Sequence, residues 1–351
     1  AERHRTPLRT QNPNVKKPER ISVIGAGGWG SALAQLLSGH SLPVTIWAHD
    51  PAQVEEINTA HSNRKFLPGV TLAKNIKATP DLAVAAQSDV IIVVPPSQFL
   101  KGISRDLAAA GVRADVPLVC CTKGLEHHTG RLMTQVLGEF FPNNPVAALS
   151  GPNHAEEVAR GTPAAAVLAA DSHDLAAGLR EFIGTASFRV YSSDDVAGVE
   201  LGGALKNIYA IAAGISDGLG LGDNAKSALV TRSLAELVRL GTKLGGKQET
   251  FYGLSGLGDL IVTCFSVHSR NRGLGERLGR GESLTDIQKS MVMVAEGVPT
   301  ARSAHEEARK TGIDTPLLDT VHAVLFDGLA PRGGLLHLLS RDTKREHEPA
   351  P

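Results

Sequence analysis

The stretch ISVIGAGGWGSALAQLL, residues 21–37, constrains the fold more than any other part of the chain. A short apolar run is followed at once by Gly25, Gly27 and Gly30 in G-x-G-x-x-G spacing, and then by an amphipathic helical pattern. Strand, glycine turn and helix in that order make the first unit of a parallel α/β sheet. The three glycines have separate tasks: Gly25 permits the tight turn, Gly27 lets the backbone approach a pyrophosphate, and Gly30 allows the helix to lie close on the sheet. The helix start offers free N–H groups and the positive end of its dipole to that anion.

The pattern continues. VTIWA, DVIIVVP, PLVCCT, PVAALSG, AAAVLAA and FRVYS read as further strands, apolar on both faces as strands of a helix-covered parallel sheet must be. After about residue 193, helical spacing takes over in DDVAGVELGGALKNIYAIAAGI, NAKSALVTRSLAELVRLGTKLG, SLTDIQKS and ARSAHEEARKTG. The expected organisation is a leader over 1–19, a Rossmann-type doubly wound dinucleotide-binding domain over 20–193, an all-α substrate and catalytic domain over 194–330, and a tail over 331–351. With 351 residues, two domains each have enough chain for a core of their own.

Composition narrows the partners. Lys plus Arg and Asp plus Glu are both 36, so the chain has no global field with which to grip nucleic acid or an anionic membrane. No apolar run reaches the roughly 18 residues of a membrane span. Three cysteines, Cys120, Cys121 and Cys264, without ligand spacing, read as reduced thiols of a cytoplasmic protein. The first twenty residues are polar, basic and proline-containing, which suggests a disordered leader or, alternatively, a transit peptide.

One helix poses a chemical question. In GVELGGALKNIYAIAAGISDGLGLG, residues 198–222, Lys206 and Asn207 interrupt an otherwise apolar and small-residue sequence. A buried ammonium is costly unless paired, and burial lowers its pKa into the range useful for proton transfer. Gly203, Lys206, Ala210 and Ala213 share one helical face, whose small side chains would let a ligand approach. At the end of the second strand, His49 and Asp50 stand where an adenosine ribose should lie. His49 can meet a 2′-phosphate, and Asp50 before Pro51 can touch ribose or cap a helix. The histidines, His127 and His128 included, show no metal-ligand spacing, and a metal-free site is expected.

With GAGGWGSALA, CCTKGLE, LSGPNHAEEVARG, ELGGALKNIYAIAAGISDGL, GLSGLGDLIVTC and HSRNRGLGERLG in order, the chain closely resembles NAD(P)-dependent glycerol-3-phosphate dehydrogenases over roughly residues 20–330. The resemblance implies an enzyme that interconverts dihydroxyacetone phosphate and sn-glycerol 3-phosphate for glycerophospholipid synthesis, with NAD(P)H as cofactor and no metal. It implies Lys206 as the proton donor and acceptor. For the substrate it implies Lys123, Gly151, Asn153, Asn207, Asp259, Ser269, Arg270 and Asn271, with Asp259 pairing Lys206 and Arg270 gripping the phosphate. For the cofactor it implies Gly25, Gly27, Gly28, Trp29, Gly30, His49, Lys123, Ala155, Arg270, Val294 and Glu296. Asn153 and His154 depart from the family pattern, which commonly has Ser or Thr and then an aromatic. Asn207 is open to a second reading as a satisfied core amide, Asp259 as a helix cap and Glu296 as a surface carboxylate. Two other functions compete: a non-catalytic dinucleotide-binding redox sensor, and a related two-domain dehydrogenase acting on another small hydroxy acid. Loss of Lys206, Asp259 or Arg270 would have favoured the sensor, and all three are present. NADH-versus-NADPH preference and oligomeric state, a homodimer among the expectations, are left open by the sequence.

Overall fold

A computed structural model of the chain describes residues 18–342 together with 345 and 346. The expected leader therefore lies, save for its last two residues, outside the described residues. Among these, eight strands form one sheet in the order β3-β2-β1-β4-β5-β6-β7-β8. They are β1 (Ile21–Ile24), β2 (Val44–Trp47), β3 (Ile76–Thr79), β4 (Val90–Val93), β5 (Leu118–Cys120), β6 (Val146–Ser150), β7 (Ala164–Ala169) and β8 (Phe188–Ser193). The first six run parallel in the doubly wound order, with helices α1 (Gly28–Ser38), α2 (Pro51–Ala60), α3 (Leu82–Ala85), α4 (Ser97–Ala109) and α5 (Met133–Phe140) between them. Apolar clusters fill both faces, which is why β1 and β4 are buried at every position.

Two sequence expectations need correction here. The sheet is mixed: β7 runs antiparallel to β6, reached through the short helix α6 (Ala155–Ala159), and β8, after α7 (His173–Ile183), is parallel to β7. An antiparallel neighbour needs no long crossover, so the short connection suffices. Strand β3 lies on the sheet edge, where Ile76 and Ala78 point inward while Lys77 is exposed, so it lacks the doubly apolar signature.

Strand register aligns the site. Ile24 lies level with Trp47 on one side and Val93 on the other, and Val93 is level with Cys120. The turns that follow therefore open on a single edge. Gly25, His49, Ser97 and Lys123 all emerge there, as does Gly151 just past β6.

The second half is helical. Its axis is α8 (Val196–Gly218), buried at every residue from Gly198 to Gly214. Around it lie α9 (Gly222–Lys243), α10 (Gln248–Phe251), a π-helical turn (Leu254–Gly258), α11 (Asp259–Phe265), α12 (Arg270–Gly279), α13 (Leu284–Ser290), α14 (Gly297–Thr311) and α15 (Pro316–Phe326). A last helix, α16 (Pro331–Leu339), occupies residues expected to be tail. Pro331 at its first turn starts it, and Gly334 packs within contact of Thr320 on α15.

Small residues on α8 serve helix packing. A Cβ on Gly214 would fall 1.9 Å from the Arg272 carbonyl oxygen, and one on Gly275 would fall 2.0 Å from that of Ile211. Helices α8 and α12 thus meet backbone to backbone. Ala210 and Ala213 are fully buried, so the face read from the sequence as open to a ligand is occupied at those positions by protein.

Candidate functional site

The glycine turn after β1 has the form a dinucleotide requires. Gly25 adopts φ +116°, a conformation side chains resist, and a Cβ there would lie 3.2 Å from the Val94 carbonyl and the Pro95 nitrogen. A Cβ on Gly30 would fall 1.8 Å from the Gly25 oxygen, so only glycine lets α1 start so close to the strand. Above Gly27 there is open space, with no atom within 4 Å of a Cβ position. Gly27 is also the N-cap of α1 and offers no side chain to its N–H groups. The turn therefore presents unclaimed backbone donors to an open cradle, and the residues present fit a pyrophosphate. A Cβ on Gly28 would meet the Phe66 carbonyl at 2.7 Å and lie against Ala155, which places Ala155 on the flank of α1. Trp29 is half-buried with its Nε1 unpartnered, and its ring faces Phe188.

At the end of β2, His49 is exposed. Asp50 caps α2, accepting the Ala52 N–H at 3.0 Å, one of the two roles the sequence allowed it.

Across the edge from the glycines, the two halves of the chain meet around one carboxylate. Asp259, at the first residue of α11 and 1% exposed, accepts a hydrogen bond from Lys206 Nζ on one oxygen and from Lys123 Nζ at 2.6 Å on the other. Lys206 also donates to Thr263 Oγ1 at 2.7 Å, and Lys123 to the Gly151 carbonyl at 3.1 Å. Burial pushes the Asp259 carboxyl up, but the two ammonium groups outweigh it and hold it below its ordinary value. For Lys206 burial is the largest effect; together with the like charge of Lys123 it overcomes the attraction of Asp259 and draws the ammonium down to about 8. A lysine that titrates there can both give and take a proton near neutral pH.

Around this centre, unpartnered polar atoms gather. Gly151, at φ +153°, carries the chain past β6, where a Cβ would clash with Ala165 and Ala166. Asn153 donates to the Ala165 carbonyl at 2.9 Å, leaving its buried Oδ1 without a partner. Ser150 Oγ and His154 Nε2 are likewise buried and unpartnered. Burial and the charge of Lys206 hold the His154 imidazole below its ordinary pKa.

The SRN run divides its work. Ser269 caps α12, its hydroxyl accepting the Arg272 N–H at 3.2 Å. Asn271 donates to Asn207 Oδ1 at 2.9 Å and accepts from the Gly297 N–H at 2.9 Å, while Asn207 reaches back to the Gly203 carbonyl. These amides tie α8, α12 and α14 together. Arg270 instead reaches solvent along a wall of protein, its Nη1 donating to the Val294 carbonyl at 3.1 Å. Burial against that wall lowers its pKa, opposed by Glu296 and Glu156. Glu296, at the start of α14, accepts from the Ser97 N–H at 3.1 Å and the Ser97 hydroxyl at 2.6 Å. It thereby caps α4 from the other half of the chain, and burial raises its carboxyl pKa.

Three residues of this site escaped the sequence reading. Thr263 is one helical turn beyond Asp259, a spacing that could have flagged it. Ser97 and Ser150 carry no comparable signal.

Comparison with known proteins agrees with this geometry. The model for the NAD-dependent glycerol-3-phosphate dehydrogenase N-terminus matches residues 20–176, and that for the C-terminus of the same enzymes matches 195–335. Glycerol-3-phosphate dehydrogenase [NAD(P)+] of Geobacter sulfurreducens is 46% identical over 332 residues, covering 93% of this chain and 99% of its own. That of Parvibaculum lavamentivorans is 45% identical over 327 residues, covering 93% and 98%. The crystal structure of the Coxiella burnetii glycerol-3-phosphate dehydrogenase superposes with a TM-score of 0.88 at 38% identity, over 92% of this chain and 99% of that one. A ketopantoate reductase of Ralstonia eutropha, at 16% identity and a TM-score of 0.60, shares the fold alone. On these matches, which span both halves of the molecule, the chain belongs to the NAD-dependent glycerol-3-phosphate dehydrogenase family.

Proposed function

We propose that this chain transfers hydride reversibly between NAD(P)H and dihydroxyacetone phosphate, giving sn-glycerol 3-phosphate, and that it does so in the cytoplasm in support of glycerophospholipid synthesis. The observation that carries the chemistry is the Lys123–Asp259–Lys206 cluster at the edge where the glycine turn opens. Bound on that turn, the nicotinamide cofactor supplies the hydride. Addition at C2 of the ketone leaves an alkoxide, and Lys206 Nζ gives it a proton; in the reverse direction the neutral amine removes the proton from the alcohol. Asp259 and Thr263 fix the direction of Nζ, so its orientation is set before substrate arrives. Lys123 keeps Lys206 from becoming too weak an acid. Asn153 Oδ1, an acceptor without a partner, suits a substrate hydroxyl. Arg270, aimed by the Val294 carbonyl, presents its planar fork to the substrate phosphate, and Glu296 and the glycines line the cofactor side. Three free, buried cysteines support a reducing compartment.

The test compares NADH and NADPH oxidation with dihydroxyacetone phosphate and with dihydroxyacetone. Lys206→Ala is expected to lower kcat by ~10² to 10⁴ while leaving dinucleotide affinity nearly intact. Arg270→Ala is expected to collapse the preference for the phosphorylated ketone, because the unphosphorylated one never makes that contact. Equal turnover by Lys206→Ala and the unsubstituted enzyme removes Lys206 from the mechanism, and a parallel loss on both ketones moves Arg270 to the cofactor or the fold.

A further inference from the structure

Beyond the catalytic cleft, the loop between β5 and α5 folds into a short hairpin whose tip carries His127 and His128. We propose that these two imidazoles and the Glu306 carboxylate of α14 form a binding site for a divalent metal of the zinc, cobalt or nickel class, bridging the two halves of the molecule. The hairpin is braced. Leu125 and Leu132 bridge its stem, the Glu126 N–H donates to the Arg131 carbonyl at 2.9 Å, and the Glu126 carboxylate accepts from Arg131 Nε at 2.7 Å and from Thr129. Leu125 is buried in the helical core, which docks the stem on the second half.

At the tip, His128 adopts φ +66°, a left-handed conformation that non-glycine residues rarely take. With the chain turned there, the neighbouring rings stand face to face, centroids 3.6 Å apart and planes 26° from parallel. Each ring and the Glu306 carboxylate contribute one ligand atom to a group lying within 4.8 Å of one another. Among the described residues no hydrogen bond holds either ring, and the charge of Lys310 acts on the Glu306 carboxylate from the next turn of α14. Glu307 lies so close to Gly130 that a Cβ there would come within 2.5 Å of its carboxyl group, so α14 and the hairpin are in direct apposition.

Two imidazoles and one carboxylate are the donors that borderline divalent ions prefer, while magnesium and calcium favour oxygen alone. The two exposed histidines would rotate onto the ion beside the half-buried Glu306 to make bonds of ~2.0–2.2 Å, with water completing the shell. No ligand spacing is visible along the chain, because two ligands are adjacent and the third comes from a distant helix. The hairpin runs on from Lys123 and α14 begins beside Glu296, so an ion there ties together the two elements that carry cleft residues.

The test titrates the tag-free full chain with Zn²⁺ by calorimetry and with Co²⁺ by visible absorption. One equivalent is expected to bind. His127→Ala, His128→Ala and Glu306→Gln should each raise Kd at least ~10-fold. His322→Ala, from the other stacked pair of imidazoles with His305, should leave it unchanged. Absence of binding at ~100 µM metal, or a titration unaltered by the His127 and His128 substitutions, overturns the site. Binding that depends on both histidines but not on Glu306 overturns the bridge.

Discussion

At Lys206 two effects of opposite sign meet. Burial and the neighbouring Lys123 drive the proton off, while Asp259 holds it on, and the balance leaves the group titrating at about 8. Reduction needs the ammonium. Its kcat/KM should therefore be flat below that pH and fall about tenfold per unit above it, with oxidation showing the mirror image. Asp259→Asn removes the strongest influence that favours the charged form and leaves Lys123 opposite, so the alkaline limb of the reduction profile should move to lower pH by ~1 unit or more. A pH-rate profile of the variant, read for the position of the limb rather than its height, checks this; an unmoved limb assigns the titration to another group. Much of this chemistry was legible in the sequence, because an ammonium in the middle of an apolar helix is anomalous wherever it occurs. What Asn207 and Asn271 do was not. An amide in a helix reads the same whether its partner is a ligand or, as here, the amide of the next helix.

Helix α8 shows why composition alone misassigns a small residue. Gly203, Lys206, Ala210 and Ala213 looked from the sequence like one open face, yet Ala210 and Ala213 are fully buried by protein. Gly203 abuts Ser150 of the sheet, and Gly214 abuts the backbone of α12. Gly214→Ala and Gly275→Ala should accordingly lower unfolding stability by ~1–3 kcal/mol, since backbone cannot move aside as a flexible side chain does. Gly273 lies on the same α12 with open space around its Cβ position, and Gly273→Ala should be neutral or stabilising by ~0.5–1 kcal/mol through helix propensity. Denaturant midpoints of the three variants decide it. If Gly214→Ala is as stable as Gly273→Ala, the two helices do not approach as closely as described. The strands show the complementary case. Seven were readable, the edge strand β8 among them although Arg189 and Tyr191 on it are exposed, while β3 was not, because Ile76 is the one large apolar residue among its four. The reversal of β7 was equally hidden, since residue type says nothing about strand direction when both faces are buried.

At the scale of the whole molecule, the sheet and the helical half are joined through carboxylates of the helical half that engage groups of the sheet half. Asp259 takes Lys123, Glu296 takes the start of α4 at Ser97, and Glu200 on α8 takes Thr134 at the start of α5. Two of these are helix caps supplied from outside, a device no local sequence pattern reveals, because the acceptor is far along the chain from the N–H groups it satisfies. The arrangement also separates the two ends of the cofactor groove. His49 emerges from β2, on one side of the glycine turn after β1, while Ser97 and Lys123 emerge from β4 and β5 on the other. A dinucleotide laid across that turn has its adenosine half towards β2 and its nicotinamide half towards β4. NADH and NADPH differ only by a phosphate at the adenosine end. His49→Ala should therefore weaken NADPH more than NADH if the imidazole meets the 2′-phosphate, whereas Glu296→Gln should weaken both by the same factor. Fluorescence titration of each variant with both reduced cofactors measures the two ratios. Equal losses at His49→Ala assign this histidine to adenine or ribose, and an unequal loss at Glu296→Gln would mean that the groove does not run from β2 to β4 as the strand order requires.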